Sequence, residues 1–289
     1  MTTASCTILV GLVGEGIGAS LTPPLHRREG ALLGFDYEYR TLDLLELGRP
    51  ASDIGRMLHN AAAEGYAALN ITHPCKQRVL AHLDELTPEA ARLGAVNLVV
   101  INDGRFTGHN TDLSGFRGAV QQGLPGAILD RVLQVGAGGA GAATAFALLG
   151  LGTRQLSLCD ADPLRAEKLA EALREAFPNA RVVTVPVATA ALLAQLDGVV
   201  HATPTGMTEH PGVAVDIDAV PVAAWVADVV YRPLETELVR RARRRGNRVL
   251  DGGRMAVGQA VDSIRIITGI EPDAERMRSH FLDLLAESP

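Results

Sequence analysis

The sequence predicts an α/β protein of two domains, and three observations support this prediction. Its 289 residues are enough for two domains of ordinary size. Short apolar stretches alternate with stretches of helical periodicity, which is typical of sheets with mostly parallel strands. A glycine-rich loop at residues 136–141 follows a strand of its own in mid-chain, as expected where a second sheet begins.

The first half of the chain is expected to form one α/β domain. Strands are predicted at residues 8–13, 37–42, 67–71 and 95–101. Helices are predicted at 23–33, where prolines stand near the start, and at 54–64, 77–83 and 88–93. The alternation predicts a mostly parallel sheet.

The second series of elements begins near residue 131, and the junction lies at about 112–123. Strands are predicted at 131–135, 155–159, 199–200, 225–230 and 248–250. Residues 255–268 and 274–286 are predicted to be helical. The pattern alone does not assign these last two helices to either domain.

Composition excludes several classes of function. The formal net charge is -6 and 47% of residues are hydrophobic, which argues against a nucleic-acid partner. The basic run at 240–245 is interpreted as the polar face and last turn of a helix. Cys6, Cys75 and Cys159 are far apart, which argues against a disulfide framework or a metal site. The absence of a targeting pattern and the shortness of the apolar run at 8–13 favour a cytoplasmic protein without a membrane partner.

The mid-chain loop has the G-x-G-x-x-G pattern between a buried strand and an Ala-rich helix. Gly136 permits a tight turn, Gly138 lets the backbone approach a pyrophosphate, and Gly141 allows close packing of helix and strand. Asp160 follows the next strand, where a carboxylate accepts hydrogen bonds from a ribose 2′-hydroxyl and repels a 2′-phosphate. The loop therefore predicts dinucleotide binding, with NAD preferred over NADP.

Polar residues stand where the strands of the first domain end, which is where ligands bind in open α/β sheets. The set comprises Ser20, Thr22, Asn70, Thr72, Lys76, Asn97 and the run 110–112. Hydroxyls, amides, one lysine and one aspartate together suit a small polyhydroxylated acid. Ser20 and Thr22 have a second interpretation as helix N-caps. Four histidines near these motifs, His26, His73, His109 and His201, are interpreted as capping or loop residues rather than metal ligands.

These motifs resemble those of the shikimate dehydrogenase family, above all its quinate/shikimate branch. The matching segments are S-L-T-P-P-L-H at 20–26, N-I-T-H-P-C-K at 70–76, G-A-V-N at 94–97, G-H-N-T-D at 108–112, the loop at 136–141, A-T-P-T-G-M at 202–207, D-V-V-Y-R-P-L-E-T at 228–236, and D-G-G-R-M at 251–255 with Gln259. The match is colinear and covers nearly the whole chain.

The resemblance implies a substrate domain of residues 1–113 and 256–289, to which the C-terminal helices return, and a Rossmann domain of residues 114–255. It implies hydride transfer between a nicotinamide and an alcohol carbon of a cyclic carboxylic acid. Lys76 and Asp112 match the family's catalytic pair. A carboxylate raises the pKa of an adjacent lysine, so the two are expected to titrate jointly, with Lys76 transferring the proton and Asp112 orienting it.

The resemblance also assigns the remaining contacts. Ser20 and Thr22 would hold the substrate carboxylate, and the ring would meet Asn70, Thr72, Asn97, Tyr231 and Gln259. Cofactor contacts would come from Gly136, Gly138, Gly139, Ala140, Gly141, Asp160, Arg165, Thr203, Pro204, Val230, Gly253 and Met255. Tyr231 and Met255 suit a hydrophobic core equally well, and Arg165 suits an ordinary exposed position on a helix. No metal is expected, and a monomer and a homodimer are both left open.

Two departures from the family pattern bear on specificity. NADP-using members carry an Asn-Arg-Ser/Thr run where this chain has Asp160-Ala161-Asp162. Thr22 replaces the serine of strict shikimate enzymes, and the resemblance associates threonine with members that also accept quinate. The leading hypothesis is therefore an NAD-dependent quinate/shikimate dehydrogenase. The alternatives are an NADP-dependent biosynthetic shikimate dehydrogenase, an aminoshikimate-type dehydrogenase and a catalytically silent nucleotide-binding sensor.

Overall fold

A computed structural model describes residues 7–287 and divides into two compact units. Unit 1 is Met1–Thr111 with Gln259–Pro289, and unit 2 is Asp112–Gly258. The C-terminal segment thus belongs to unit 1, as the predicted fold class requires. Cys6 and the N-terminal stretch interpreted as lacking a targeting signal lie outside the described residues.

Unit 1 is built on a six-stranded sheet. Its elements are β1 (Thr7–Gly14), α1 (Thr22–Leu32), β2 (Asp36–Asp43), a 3-10 turn (Ala51–Asp53), α2 (Ile54–Ala63), β3 (Ala68–Ile71), a second 3-10 turn (Arg78–His82), β4 (Glu85–Leu86), α3 (Pro88–Leu93), β5 (Leu98–Asn102) and β6 (Arg105–His109). The strand order is β2-β1-β3-β5-β6-β4. The predicted helix at 77–83 is therefore wrong in type, because only a 3-10 turn forms there.

The mostly parallel sheet predicted for this unit forms, except around β5. Strands β2, β1 and β3 run parallel and β4 is parallel to β6, but β5 is antiparallel to both β3 and β6. Asp103 and Gly104 join β5 to β6 with φ of 50° and 76°. Positive φ at both central residues matches the twist of a two-residue hairpin, so the chain reverses instead of crossing over.

Alternation along β1 places side chains on both faces of the sheet. Ile8, Val10 and Leu12 join one core cluster with Tyr37 and Tyr39, against which Ile266 and Ile267 from the C-terminal segment pack. Val13 joins the other cluster, to which α2 contributes Ile54, Met57 and Leu58. The sheet is thus covered on both faces.

Unit 2 contains a wholly parallel sheet with the order β12-β11-β10-β7-β8-β9. After α4 (Thr111–Gly123) its elements are β7 (Arg131–Val135), α5 (Gly139–Gly150), β8 (Gln155–Cys159), α6 (Pro163–Ala176), β9 (Arg181–Thr184), α7 (Ala190–Leu193), β10 (Gly198–His201), a 3-10 turn (Ile217–Ala219), β11 (Trp225–Asp228), α8 (Glu237–Arg245) and β12 (Val249–Leu250). The helix α9 (Gly252–Thr268) begins in unit 2 and ends in unit 1, and α10 (Ala274–Glu287) follows. This is the order of the dinucleotide-binding fold, with β7 as its first strand.

The basic run at 240–245 forms the polar face and last turn of α8, as predicted. Arg240 and Arg241 both contact Glu237, and Arg245 contacts Asp218. Its cations are thus engaged with neighbouring carboxylates. Among residues 7–287, no helix is long and apolar enough to cross a bilayer.

Candidate active site

The loop between β1 and α1 presents two hydroxyls. The Ser20 Oγ accepts the Thr22 backbone N–H at 3.3 Å, and both side chains are half-buried. Leu21 is the N-cap residue of α1, so the prediction that Ser20 or Thr22 is the N-cap is wrong in position, but the Ser20 Oγ does accept the N–H of Thr22, the first residue of the helix. Pro23 and Pro24 have no N–H to offer. An anion at this end of α1 would therefore depend on the hydroxyls of Ser20 and Thr22.

Asp43, at the end of β2, holds this loop in place. Its buried carboxylate accepts the backbone N–H groups of Gly16 at 3.0 Å, Ile17 at 2.8 Å and Leu45 at 3.0 Å. Burial alone would raise the pKa of this carboxyl, but hydrogen bonds from Leu45, Ile17, Gly16 and Gly18 outweigh it and lower the pKa. Sequence reasoning missed Asp43, since an acid at a strand end is ordinarily solvated.

The end of β3 positions Asn70, Thr72 and Lys76. Asn70 is buried; its Oδ1 accepts the Tyr39 hydroxyl at 3.0 Å, and its Nδ2 donates to Ser263 of α9 at 3.3 Å. The Thr72 N–H donates to the Val13 carbonyl, and its own carbonyl accepts the Cys75 N–H. These backbone bonds form the turn that leads to the half-buried Lys76.

Asn97 is joined to the first residue of α4. Its Oδ1 accepts the Thr111 N–H at 2.7 Å and its Nδ2 donates to the Thr111 Oγ1 at 3.0 Å. Both residues are buried. The backbone position from which Asp112 continues the helix is thereby fixed by Asn97.

In unit 2 the glycine loop shows why glycine is required at two positions. Gly136 has φ of 107°, and a Cβ there would lie 2.3 Å from the Ala202 carbonyl oxygen. A Cβ at Gly141 would lie 2.2 Å from the Gly136 carbonyl oxygen. A Cβ at Gly138 would meet nothing within 4 Å, so open space adjoins the start of α5. No side chain caps α5, and its first N–H groups with the positive end of its dipole suit a phosphate.

The buried side chain of Gln134 stabilises the glycine loop through hydrogen bonds. The Gln134 Nε2 donates to the carbonyls of Gly136 at 2.8 Å and Gly141 at 2.7 Å. Its Oε1 accepts the Thr144 hydroxyl at 2.8 Å. Every strong donor and acceptor of this side chain is engaged inside the protein. The sequence signal for this supporting role was a single polar residue, Gln134, within an otherwise apolar stretch of β7.

Asp160 lies directly beside the glycine loop. Its Oδ2 accepts the Ala137 N–H at 2.7 Å and its Oδ1 accepts the Asp162 N–H at 2.8 Å. Arg165, which is exposed on α6, lies 3.6 Å from both the Asp160 and the Asp162 carboxylates. The predicted ribose carboxylate and the predicted loop are thus in contact, and Arg165 touches the carboxylates rather than the loop.

The strand ends of β10 and β11 hold a buried cluster around His201. The His201 ring nitrogens lie 2.9 Å from Asp228 Oδ1 and 2.5 Å from Thr203 Oγ1. Asp228 also accepts the Val230 N–H at 3.0 Å. Thr203 in turn lies against the loop, since a Cβ at Gly136 would come within 2.9 Å of its methyl group. Asp228, to which sequence analysis assigned no role, and His201, which was interpreted as a capping or loop residue, therefore position the predicted cofactor residues Thr203 and Val230.

Three histidine interpretations are wrong. His26 lies inside α1, fully buried beside the Tyr37 hydroxyl at 3.2 Å, and burial lowers its pKa to about 3. His109 is the last residue of β6 and His201 the last residue of β10, so neither is a cap or a loop residue. Within residues 7–287 no group of three or more His, Cys, Asp or Glu side chains could hold a metal ion.

The start of α9 approaches the end of β11. A Cβ at Gly252 would lie 2.4 Å from the Val230 carbonyl oxygen, so the first turn, with Gly253 and Met255, begins close to Val230. Burial raises the pKa of the adjacent Tyr231 hydroxyl. Pro204 is exposed, and Gln259 is half-buried on α9 in unit 1.

The strand order of unit 2, with its glycine loop and adjoining carboxylate, defines a dinucleotide-binding protein. A family model described as the shikimate dehydrogenase substrate binding domain matches residues 12–99. The chain is 58% identical to a shikimate dehydrogenase (NADP(+)) of Pseudarthrobacter chlorophenolicus, over 96% of this chain and 95% of the relative. The chain therefore belongs to the shikimate dehydrogenase family and is an oxidoreductase. The sequence-based family prediction is confirmed.

The names of other relatives and solved structures are divided between NAD and NADP. A quinate/shikimate dehydrogenase (NAD(+)) of Corynebacterium efficiens is 48% identical over 96% of this chain and 99% of its own. The solved quinate dehydrogenase of Corynebacterium glutamicum in complex with NAD has a TM-score of 0.92 and 46% identity, covering 96% of this chain and all of that one. A Thermus thermophilus shikimate 5-dehydrogenase in complex with NADP(H) and shikimate has a TM-score of 0.84 and 31% identity, covering 96% of this chain and 99% of that one.

Proposed function

We propose that this protein oxidises quinate, shikimate or both, reversibly, to the 3-dehydro acid, with NAD preferred over NADP. The relatives named for quinate and shikimate support the substrate class. The Asp160 carboxylate, placed against the glycine loop, carries the cofactor preference.

The residues of unit 2 fit a dinucleotide. The uncapped start of α5 and the open space beside Gly138 would take the pyrophosphate. Asp160 uses one lone pair of each oxygen for a backbone N–H, and a carboxylate offers about four. Acceptor capacity therefore remains for the hydroxyls of a ribose. Thr203 and Val230, held by His201 and Asp228, would flank the nicotinamide end.

Charge decides between the two cofactors. A 2′-phosphate placed beside Asp160 would be repelled by the Asp160 carboxylate and by the carboxylate of Asp162 in the same turn. Arg165 is already engaged with both, so it would have to leave them to bind a phosphate. A neutral 2′-hydroxyl requires no such rearrangement and can donate to the carboxylate.

The NADP-dependent biosynthetic enzyme is the second candidate. Relatives at 58%, 57% and 52% identity are named for NADP(+). Under this alternative Arg165 would be the phosphate ligand, which makes its removal decisive between the two proposals.

In the proposed reaction a nicotinamide bound by unit 2 would supply the acceptor for the hydride of the alcohol carbon, and the residues of this chain would bind the acid and move the proton. Lys76 takes the hydroxyl proton and stabilises the developing alkoxide. Asp112 orients Lys76. Ser20 and Thr22 donate to the substrate carboxylate. Asn70, Thr72, Asn97, Tyr231 and Gln259 bind the ring and its hydroxyls.

Initial rates with quinate, shikimate and an amino analogue, each with NAD and with NADP, test this proposal. Turnover of quinate or shikimate with NAD is expected. Turnover restricted to the amino analogue would favour the aminoshikimate-type alternative. Nucleotide binding without turnover of any acid would favour a sensor.

Two variants separate the cofactor alternatives. Asp160→Asn keeps an acceptor for the Ala137 N–H but removes the charge. It should raise the NADP/NAD ratio of kcat/KM by roughly tenfold, or about 1.4 kcal/mol. Arg165→Ala should leave kcat/KM with NAD unchanged. If Arg165→Ala instead abolished a dominant NADP activity, Arg165 would be the phosphate ligand and the NAD proposal would be wrong.

A further inference from the structure

A buried chain of hydrogen bonds in unit 1 passes through Ser263, a residue of α9 that no motif singled out. Its side chain is fully buried. The Ser263 Oγ lies 3.3 Å from Asn70 Nδ2, 3.2 Å from Thr111 Oγ1 and 2.8 Å from the Gln259 carbonyl oxygen. One hydroxyl thus contacts Asn70 and Gln259 directly and reaches Asn97 through Thr111.

Counting donors fixes the direction of these bonds. The single Ser263 proton goes to the Gln259 carbonyl, the shortest of the three contacts and an acceptor only. The Ser263 oxygen then accepts from Asn70 Nδ2 and from the Thr111 hydroxyl, whose proton lies between Ser263 Oγ at 3.2 Å and Asn97 Oδ1 at 3.3 Å. Thr111 Oγ1 in turn accepts from Asn97 Nδ2 at 3.0 Å.

The same bonds fix the orientation of both amides. The Thr111 backbone N–H can only donate, so the group of Asn97 facing it at 2.7 Å is its oxygen. Burial and the neighbouring Tyr37 raise the pKa of Tyr39 well above its usual value, so its phenol keeps the proton that it donates to Asn70 Oδ1. An amide nitrogen carries two hydrogens, and in each of these asparagines the network uses one.

We propose that Ser263 is a positioning residue that orients the amides of Asn70 and Asn97, so that each directs its second N–H to a hydroxyl of the bound acid. This inference rests on the proposed function, because it takes Asn70 and Asn97 as substrate ligands. Ser263 itself does not touch the substrate. Its carbonyl partner, Gln259, lies one turn earlier on α9, so the same hydroxyl also fixes the backbone that carries the third predicted ligand.

Loss of the Ser263 hydroxyl would leave one buried donor, Asn70 Nδ2, without its acceptor, and would turn the Thr111 hydroxyl towards its other acceptor, Asn97 Oδ1. Buried donors seek other partners because an unpaired one is costly. Both amides would then adopt orientations that no longer match the substrate hydroxyls. Sites that bind a hydroxyl by a fixed hydrogen bond lose affinity for it when that bond is misaligned.

The test compares Ser263→Ala with Thr268→Ala in the intact protein. Thr268 lies on the same helix and makes the same kind of bond, from its hydroxyl to the Ile264 carbonyl at 2.8 Å, without contacting an asparagine amide. Ser263→Ala should raise the KM for the acid by roughly tenfold, with the KM for NAD unchanged and kcat altered less than KM. Thr268→Ala should leave all three constants unchanged.

A second variant acts on the network from its other end. Tyr39→Phe removes the donor to Asn70 Oδ1 with little change in volume. It should raise the acid KM in the same way, and its effect should be less than additive with Ser263→Ala because both act on one amide. Ser263→Thr, which keeps the hydroxyl, should have the same KM for the acid as the wild-type protein.

The outcomes distinguish the two levels of proposal. A wild-type protein that turns over neither acid would overturn the proposed function and this inference with it. If the wild-type protein is active and neither Ser263→Ala nor Tyr39→Phe changes the KM for the acid, this inference alone is overturned. Equal rises in the acid and NAD constants would also overturn it, since a general loss of structure would then be the cause.

Discussion

Removal of the Asp43 carboxylate should both destabilise unit 1 and weaken binding of the acid. Among the hydrogen bonds that the Asp43 carboxylate accepts, the one from the Ile17 N–H is buried, while those from Gly16 and Leu45 are partly exposed. Water can replace the carboxylate at the two partly exposed groups but not at Ile17, where an unpaired N–H costs about 1–3 kcal/mol. We therefore expect Asp43→Ala to lower the free energy of unfolding by about 2 kcal/mol, or Tm by roughly 4–8 °C.

The effect on catalysis should be confined to the acid. The loop that Asp43 holds carries Ser20 and Thr22, and fixing one residue of a loosened loop costs about 1–2 kcal/mol. The KM for quinate or shikimate should rise by roughly tenfold, with the KM for NAD unchanged. Asp36→Ala is the matched control, because Asp36 is an exposed acid at the other end of β2 whose bond to Thr7 is exposed as well.

The pH dependence provides a third readout. The pKa of Asp43 is lower in the folded protein than its ordinary value, so its contribution to stability is full above about pH 4. That contribution is lost as the pH falls through the folded-state pKa. The difference in Tm between wild type and Asp43→Asn should thus be greatest near neutral pH and shrink in acid. An unchanged Tm and acid KM in Asp43→Ala would refute this reasoning.

Two further predictions concern catalysis and stability. Lys76→Ala should reduce turnover by roughly 10²- to 10⁴-fold with the Kd for NAD unchanged, and near-normal turnover would remove Lys76 from its proposed role. Arg276 donates to the buried Glu29 carboxylate, which also accepts the Asp273 N–H at 3.1 Å. Since Arg276 is half-exposed and the Asp273 bond persists, Arg276→Ala should lower Tm, but by less than the loss of one partner of a fully buried pair. Arg276→Lys should lower Tm less than Arg276→Ala, and equal melting temperatures for Arg276→Ala and wild type would contradict this assignment.

Elements with strong periodicity or a specific motif could be predicted from the sequence. The glycine loop at 136–141 could be predicted from its glycines and the flanking strand alone. The hairpin between β5 and β6 was missed although Asp103-Gly104 is a typical hairpin turn, because the alternation of elements before it favoured a crossover. The strand β9, Arg181–Thr184, was missed because four residues at a sheet edge leave little periodicity to detect.

The supporting residues of the candidate site were harder to predict. Asp43 and Ser263 act through bonds to residues that are distant in sequence, and neither lies in a motif. Thr22 was misassigned as a possible cap because its residue type and the following proline fit that role, whereas Leu21 occupies the position. For Asp43 and Ser263 the deciding factor is a tertiary contact that the local sequence does not contain.

The glutamine beneath the glycine loop determines when the loop becomes ordered. Because Gln134 draws the carbonyls of Gly136 and Gly141 inward, the backbone entropy of this turn is lost as the sheet folds, before any nucleotide arrives. An incoming dinucleotide then meets N–H groups rather than carbonyls at this turn. We therefore expect the affinity for a dinucleotide to include no cost of folding this turn.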